Sequence, residues 1–212
     1  MPDWDVYLVT QDSLSGTQST PDVVEAALEG GVDVVQLREK DRTARERYHL
    51  GRKIRPLTRE AGVPLVVNDR VDIARAVDAD GVHLGDEDIP VSAARDLLGD
   101  DAIVGRSVSF VEDARRAERA GADYLGVGAV YETDSKDDID DDEHDIGPER
   151  VGDIADAVDV PVVAIGGITP DNAAPVVEAG ADAVAAVTAI TDADDPAEAT
   201  ESLADAVERG RD

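Results

Sequence analysis

Two carboxylates follow neighbouring apolar runs of this sequence, in positions that could hold a hard cation. Asp69 follows PLVVN, and Asp88 lies in the next such segment, GVHLGDED. Magnesium in proteins commonly takes one or two carboxylates and fills its remaining positions with water and substrate phosphate. We therefore interpret Asp69 and Asp88 as candidate Mg²⁺ ligands. Each could instead cap the helix predicted to follow it, because aspartate is a favoured N-cap residue.

Lysine is scarce in this chain, and two of its lysines lie where they could contact phosphate. Lys40 ends the segment VVQLREK, and Lys136 lies in ETDSKDDIDDDEHD, the most acidic run; the one other lysine is Lys53, on a predicted helix. A compact ammonium group contacts phosphate as a point charge, which the planar guanidinium of arginine does not imitate. The pattern indicates phosphate-binding roles for Lys40 and Lys136, with chance retention as the alternative.

A glycine turn and the segment after it could bind a second phosphate. The sequence IGGI, which contains Gly167, precedes a predicted helix that opens on Thr169 and Pro170, and VTAI follows a later apolar run. Glycine lets backbone amides approach a phosphate closely, although a plain turn has the same sequence.

Histidine and cysteine contribute little to this chemistry. The chain has no cysteine and three histidines, His49, His83 and His144, without the spacing of metal ligands or of a Ser-His-Asp triad. We interpret His83 as a packed or hydrogen-bonded core histidine in preference to a catalytic base.

Eight alternating units must position these residues. Short β-branched runs, from WDVYLVT to ADAVAAVTAI, alternate with amphipathic helical segments along all 212 residues. Eight strand-helix units in a chain of this length predict a single-domain (β/α)8 barrel over residues 1–212; a doubly wound open sheet is the alternative.

In such a barrel, the strand ends and the loops after them form one rim, where active sites lie. The candidate site residues at these ends are Gln36, Arg38, Lys40, Asn68, Asp69, Asp88, Ser107, Thr133, Ser135, Lys136, Gly167, Val187 and Thr188. The sequence therefore predicts that they converge on one site.

The composition restricts the possible partners and setting. Asp and Glu number 49 against 20 Lys and Arg, which gives a formal charge of -29. Such a surface repels nucleic acid and anionic membranes. The acidic residues are spread over most predicted helices, as expected for a protein adapted to a salt-rich cytoplasm, where cations screen self-repulsion. The start of the chain lacks a targeting pattern, and no apolar run reaches membrane-spanning length.

Taken in order, the segments VVQLREKD, VVNDRVDIARAVDADGVHLGDED, GRSV, DYLGVGAVYETDSK, VVAIGGI and AVTAI resemble the thiamine-phosphate synthases over nearly the whole chain. The resemblance implies a (β/α)8 barrel that uses magnesium to join hydroxymethylpyrimidine diphosphate to thiazole phosphate, releasing diphosphate. It implies small-molecule substrates and leaves the oligomeric state open.

The resemblance also implies roles for individual residues. Asp69 and Asp88 would hold magnesium. The pyrimidine diphosphate would be bound by Gln36, Arg38, Lys40, Asn68, Ser107 and Lys136, among which Arg38, Lys40, Ser107 and Lys136 would act in catalysis. Glu39 would be a further substrate-binding residue. The thiazole phosphate would be bound by Thr133, Ser135, Gly167, Val187 and Thr188.

The chain departs from the family pattern at a few positions. Asp86 stands where the family usually has glutamine, and Ser135 stands for threonine. Glu132 and Asp134 add charge to a loop that is usually proline-rich. Two other functions stay open: a thiazole tautomerase of the same superfamily, and a barrel that binds thiamine phosphate without turnover.

Overall fold

The computed structural model describes residues 4–133 and 145–212, and eight parallel strands in this part of the chain form a closed barrel. The strands are β1 (Val6–Thr10), β2 (Val34–Leu37), β3 (Leu65–Asn68), β4 (Gly81–Leu84), β5 (Ile103–Val108), β6 (Tyr124–Val127), β7 (Val162–Ile165) and β8 (Ala183–Ala186). Each strand pairs with the next along the chain, and β1 pairs with β8 to close the ring. The predicted (β/α)8 barrel is confirmed, and the open-sheet alternative is wrong.

Helices cover the outside of the barrel. They are α1 (Thr20–Glu29), α2 (Ala44–Ala61), α3 (Val71–Val77), α4 (Val91–Leu98), α5 (Val111–Arg119), α6 (Gly147–Ala155), α7 (Ala173–Glu178), α8 (Thr188–Thr191) and α9 (Pro196–Arg211). Local sequence sets several of their ends. Thr43 and Glu46 form a capping box at the start of α2, and Gly62 ends that helix in the left-handed region with φ of 73°.

Two apolar layers surround the strands. Outward-facing strand residues pack against the helices in one continuous core. A smaller cluster fills the interior of the barrel, where Trp4 contacts Tyr7 and Tyr124 edge-on, with ring centroids 6.2 and 5.5 Å away. The barrel is therefore a packed core with its open end at the strand C-termini.

Four aspartates join successive strand pairs at the opposite, N-terminal end of the barrel. Asp33, Asp80, Asp123 and Asp182 each precede an even-numbered strand, and each exchanges two hydrogen bonds with one residue of the preceding odd-numbered strand. Asp33, for example, donates its backbone N–H to the Val6 carbonyl oxygen at 2.9 Å and accepts the Val6 N–H on its carboxylate at 3.0 Å. We call these four residues the aspartate clamps.

No helix within residues 4–133 and 145–212 is long and apolar enough to cross a membrane.

We expect Asp33→Ala to destabilise the barrel by about 1–3 kcal/mol, because the carboxylate also accepts the Asp5 N–H and its loss leaves two backbone donors without that acceptor. Urea unfolding in concentrated KCl measures the change. The exposed Asp96 on α4 gives the matched control, Asp96→Ala. Equal urea midpoints for both variants would remove the energetic role assigned to the clamp.

Candidate active site

A cavity of about 1260 Å³ opens at the C-terminal ends of the strands. Its lining includes most of the site residues predicted from the sequence. Those that line it are Gln36, Arg38, Lys40, Asn68, Asp69, Asp88, Ser107, Thr133, Gly167, Val187 and Thr188. Residues from seven of the eight strands and the loops after them thus converge as the barrel prediction requires.

Ser135 and Lys136 lie outside the described residues, so their predicted roles stay predictions. The described residues that precede and follow this segment are hydrogen-bonded to each other. Ile146 donates its N–H to the Ala129 carbonyl oxygen, and Gly147 donates to that of Val130, both at 3.0 Å.

Asp69 and Asp88 face each other across the gap between the β3 and β4 loops. Their carboxyl groups are close enough to hydrogen bond, and burial together with the charge of Asp88 raises the pKa of Asp69 from 3.8 to about 6. Asp88 also accepts the Gly85 N–H at 2.6 Å, which fixes its loop. Two carboxylates held this close repel each other unless a proton or a cation lies between them.

Neither aspartate caps a helix. The N-cap of α3 is Arg70 and that of α4 is Pro90. Asp69 instead adopts the left-handed conformation, with φ of 62°, an uncommon one for a residue other than glycine. The helix-cap alternative is therefore wrong for both residues.

Two cations lie beside this carboxylate pair. Lys40 and Arg38 both act to lower the pKa of Asp69, against the larger effects of burial and Asp88. Arg38 is nine-tenths buried and donates to the side-chain oxygen of Gln11. Arg47 donates to the Lys40 carbonyl oxygen at 2.8 Å and so fixes the backbone there. Opposite charges thus meet at the cavity wall, where a cation and an anion could enter together.

Asn68 presents a buried donor at the same wall. The side chain is only 6% exposed, and its amide nitrogen has no hydrogen-bond partner among the residues that the structure describes. Since buried donors are rarely left unpaired, a ligand with an acceptor oxygen fits this position. A phosphate oxygen meets that requirement.

The carboxylate pair fits magnesium by its chemistry. The described part of the chain contains no cluster of three or more His, Cys, Asp or Glu side chains that could enclose a metal. A pair of oxygen ligands beside phosphate-binding cations is the kind of partial site that Mg²⁺ uses, with water and phosphate as the remaining ligands. Asp69 and Asp88 are therefore the residues that could hold it.

Glu39 differs from the other predicted substrate contacts. Its side chain is 2% exposed and does not line the cavity. The carboxylate instead accepts the Asp12 N–H and the Thr20 hydroxyl, both at 2.8 Å. Glu39 thus holds the loop after β1 to the end of β2, and this geometry does not support direct substrate contact by its carboxylate.

The turn after β7 requires glycine at position 167, because its backbone conformation and close neighbours leave no room for a side chain. Gly167 has φ of 62°, and a Cβ there would lie 2.6 Å from the Glu132 carbonyl oxygen. Asn172 fixes the turn, because its side chain accepts the Thr169 N–H at 2.7 Å and donates to the Gly167 carbonyl oxygen at 3.0 Å. With Val187 and Thr188 on the neighbouring loop, this turn forms a second wall of the cavity.

The unusual Asp86 has a local partner. Its carboxylate lies 2.8 Å from the Arg106 guanidinium, which also donates to the Gly85 carbonyl oxygen. The guanidinium offsets the extra negative charge next to Asp88. Arg106 was not predicted as a site residue, although it lies in the segment GRSV. Asn172 was not predicted either; its position in TPDN before α7 could have indicated a role in fixing the turn.

His83 is a hydrogen-bonded core histidine, as predicted. It is 8% exposed, and its ring nitrogens lie 2.9 Å from the hydroxyl oxygens of Tyr124 and Ser107. Tyr124, and Tyr7 beside it, were not among the site residues predicted from the sequence.

The chain is similar to known proteins over most of its length. The family model described as "Thiamine monophosphate synthase" matches residues 6–190. Proteins named thiamine-phosphate synthase from Haloarcula marismortui and Moorella thermoacetica are 68% and 50% identical, covering 100% of this chain and 100% and 99% of their own. The solved thiamine phosphate pyrophosphorylase from Pyrococcus furiosus is 42% identical with a TM-score of 0.88, covering 98% of this chain and 97% of its own.

We expect Asp69→Asn to raise the melting temperature of the metal-free protein at neutral pH. The raised pKa means that the folded state holds the Asp69 proton more tightly than the unfolded state does, so this carboxyl lowers stability as pH rises from about 4 to about 6. Replacing it with a neutral amide removes that loss.

Thermal melts in a chelator, at constant KCl, measure the effect. The gain should disappear below about pH 4, where both states of the parent are protonated. Asp96→Asn, on an exposed helix face, controls for the loss of one surface charge. A lower melting temperature for Asp69→Asn at neutral pH would contradict the repulsion inferred for the pair.

Proposed function

The chain belongs to the thiamine monophosphate synthase family, and from this premise we propose that its cavity joins hydroxymethylpyrimidine diphosphate to thiazole phosphate, giving thiamine phosphate and diphosphate. One observation carries the assignment of this site. The facing carboxylates of Asp69 and Asp88 lie beside Lys40 and Arg38 in a cavity at the C-terminal end of the barrel.

The charges of this cluster suit a diphosphate that enters with a divalent cation. Before ligands bind, the negative charges of the two carboxylates and the positive charges of the two cationic side chains roughly balance. A dication at the carboxylates and an anionic diphosphate at Arg38 and Lys40 would keep that balance. The unpaired amide nitrogen of Asn68 adds a neutral donor for a phosphate oxygen.

The reaction needs charge stabilisation more than proton transfer. The bond between the pyrimidine methylene carbon and the diphosphate oxygen breaks, and its electron pair leaves with the diphosphate. The nitrogen lone pair of the thiazole then forms the new carbon–nitrogen bond. Because no proton is removed in these steps, the site requires no general base, and His83 remains a structural residue.

Fixed donors lower the barrier to diphosphate departure. Arg38 and Lys40 hold positive charge where negative charge develops on the leaving group, and Ser107 offers a hydroxyl on the same wall. Magnesium, held by Asp69 and Asp88, would supply further charge neutralisation at the phosphate oxygens. Gln36, 4% exposed at the end of β2, orients the pyrimidine ring.

The second wall positions the nucleophile. The turn at Gly167, together with Val187, Thr188 and Thr133, binds the phosphate of the thiazole and so directs the ring nitrogen toward the pyrimidine carbon. Ser135 and Lys136 belong to this proposal by the family resemblance alone. Lys136 would neutralise the departing diphosphate from the loop after β6.

The acidic surface fits a salt-rich cytoplasm, where we place the reaction. A formal charge of -29 repels phosphorylated substrates at low ionic strength. Concentrated cations screen this long-range repulsion, while Arg38 and Lys40 in the cavity keep their short-range attraction for phosphate.

The three lysines give a sharp test of the function. With both substrates and Mg²⁺ in concentrated KCl, the parent should release thiamine phosphate and diphosphate in equal amounts. Lys40→Ala and Lys136→Ala should each lower kcat by about a hundredfold or more, since each removes a donor to developing charge. Lys53→Ala should match the parent, because Lys53 is exposed on α2.

An equal fall in kcat for all three variants would indicate a general effect of lysine removal and would contradict the specific roles proposed for Lys40 and Lys136. A folded parent that binds thiazole phosphate without turnover would contradict the synthase assignment itself.

A further inference from the structure

Five side chains form one hydrogen-bonded chain through the interior of the barrel. Gln36 donates from its amide nitrogen to the Tyr7 hydroxyl at 2.8 Å, and the Tyr7 and Tyr124 hydroxyls are 2.7 Å apart. Tyr124 lies 2.9 Å from His83 Nδ1, and His83 Nε2 lies 2.9 Å from the Ser107 hydroxyl. All five residues line the cavity, and the hydrogen-bonded chain has Gln36 at one end and Ser107 at the other.

Small residues on neighbouring strands make room for this chain. Gly105 on β5 faces the Tyr124 ring, where a Cβ would lie 2.2 Å from a ring carbon. Gly126 on β6 faces His83, where a Cβ would lie 2.9 Å from the imidazole. Any side chain at either glycine would displace Tyr124 or His83. The hydrogen-bonded chain therefore requires glycine at these two strand positions.

The tyrosines keep their hydroxyl hydrogens. Burial raises the pKa of Tyr7 and of Tyr124 far above the neutral range. Each phenol therefore has one hydrogen to donate, and neutral histidine has one N–H. The hydrogen bonds in such a chain can all be donated in one of only two directions, because every member that accepts a hydrogen bond from one neighbour must donate one to the other.

The Gln36 amide sets the direction. Since its N–H donates to Tyr7, the Tyr7 hydrogen must go to Tyr124, and the Tyr124 hydrogen must go to His83 Nδ1. His83 then carries its own hydrogen on Nε2 and donates it to the Ser107 oxygen. The Ser107 hydrogen is left for the cavity, and the Gln36 carbonyl oxygen is left as an acceptor.

We propose that Tyr7, Tyr124 and His83 are positioning residues that form a directional relay, which holds Ser107 as a hydroxyl donor and Gln36 as a carbonyl acceptor toward the substrate. The proposal rests on the proposed function only for the substrate contacts of Gln36 and Ser107. The relay matches a ligand with an N–H group at the Gln36 end and an acceptor oxygen or ring nitrogen at the Ser107 end.

The opposite direction would present a different site. If the Gln36 carbonyl oxygen accepted from Tyr7, every hydrogen in the chain would reverse, and His83 would carry its hydrogen on Nδ1. Ser107 would then donate to His83 and could only accept from a substrate. The tautomer of one histidine therefore reports the donor pattern of the whole site.

Nitrogen-15 NMR of the imidazole side chains measures this tautomer in the unliganded protein. At about pH 8, above the ordinary histidine pKa, we expect His83 to show a protonated Nε2 and an unprotonated Nδ1. His83→Gln identifies the signal by its disappearance, and the exposed His49 provides a reference. A dominant Nδ1–H tautomer would overturn the proposal.

Tyr124→Phe tests whether the relay matters for turnover. The ring still fits against Gly105, but the link to His83 is cut, so the tautomers of His83 should mix. We expect kcat/KM for the pyrimidine diphosphate to fall about three- to tenfold, the effect of one neutral hydrogen bond, while the KM for thiazole phosphate stays unchanged. Tyr48→Phe, on the exposed face of α2, is the matched control.

A lower melting temperature for Tyr124→Phe with an unchanged tautomer and unchanged kcat/KM would reduce the chain to a packing role and overturn the proposal. Failure of the proposed function is a separate result. A parent protein that shows no turnover but has His83 as the Nε2–H tautomer would support the relay and contradict the proposed synthase function.

Discussion

Closure of the sheet between β1 and β8 is the constraint on which the other features depend. Because every strand pairing in the closed ring is parallel, all the N-terminal ends of the strands lie on one face and all their C-terminal ends on the other. The aspartate clamps hold the first face, where each carboxylate takes up a strand N–H. The second face is left to loops, and the cavity opens there. Stability and chemistry thus occupy opposite ends of the same strands.

Aspartate has several different uses in this protein, and its surroundings decide which one applies. In the clamps it is a backbone acceptor, and on the helices it is a solvated surface charge. At Asp69 and Asp88 the same side chain is held against its own charge, which raises the pKa of Asp69. This last use works against folding, and there Lys40 and Arg38 lie nearby in the cavity. Local imbalance, more than the net charge of -29, therefore marks the site.

Periodicity and strand-end chemistry were sufficient to predict the barrel, and most of the site residues predicted from them line the cavity. They could not place Glu39, because the backbone turns at that residue with φ of 34° and directs the carboxylate into the protein. They also could not pair Asp86 with Arg106, since the two lie 20 residues apart and meet only through the register of β4 and β5. Tyr7 and Tyr124 were missed for a similar reason: a tyrosine in an apolar strand resembles any other core residue until its hydroxyl finds a partner.

The chain from Gln36 to Ser107 also has a consequence for how the barrel folds. Its members come from β1, β2, β4, β5 and β6, so neither the first four strands nor the last four contain all of them. A half-barrel would separate Tyr124 from both Tyr7 and His83, and His83 from Ser107, so these three hydrogen bonds form only when the two halves meet. The network therefore favours the complete ring over its halves, and a barrel assembled from similar strand-helix units gains cooperativity from a few polar atoms at its centre.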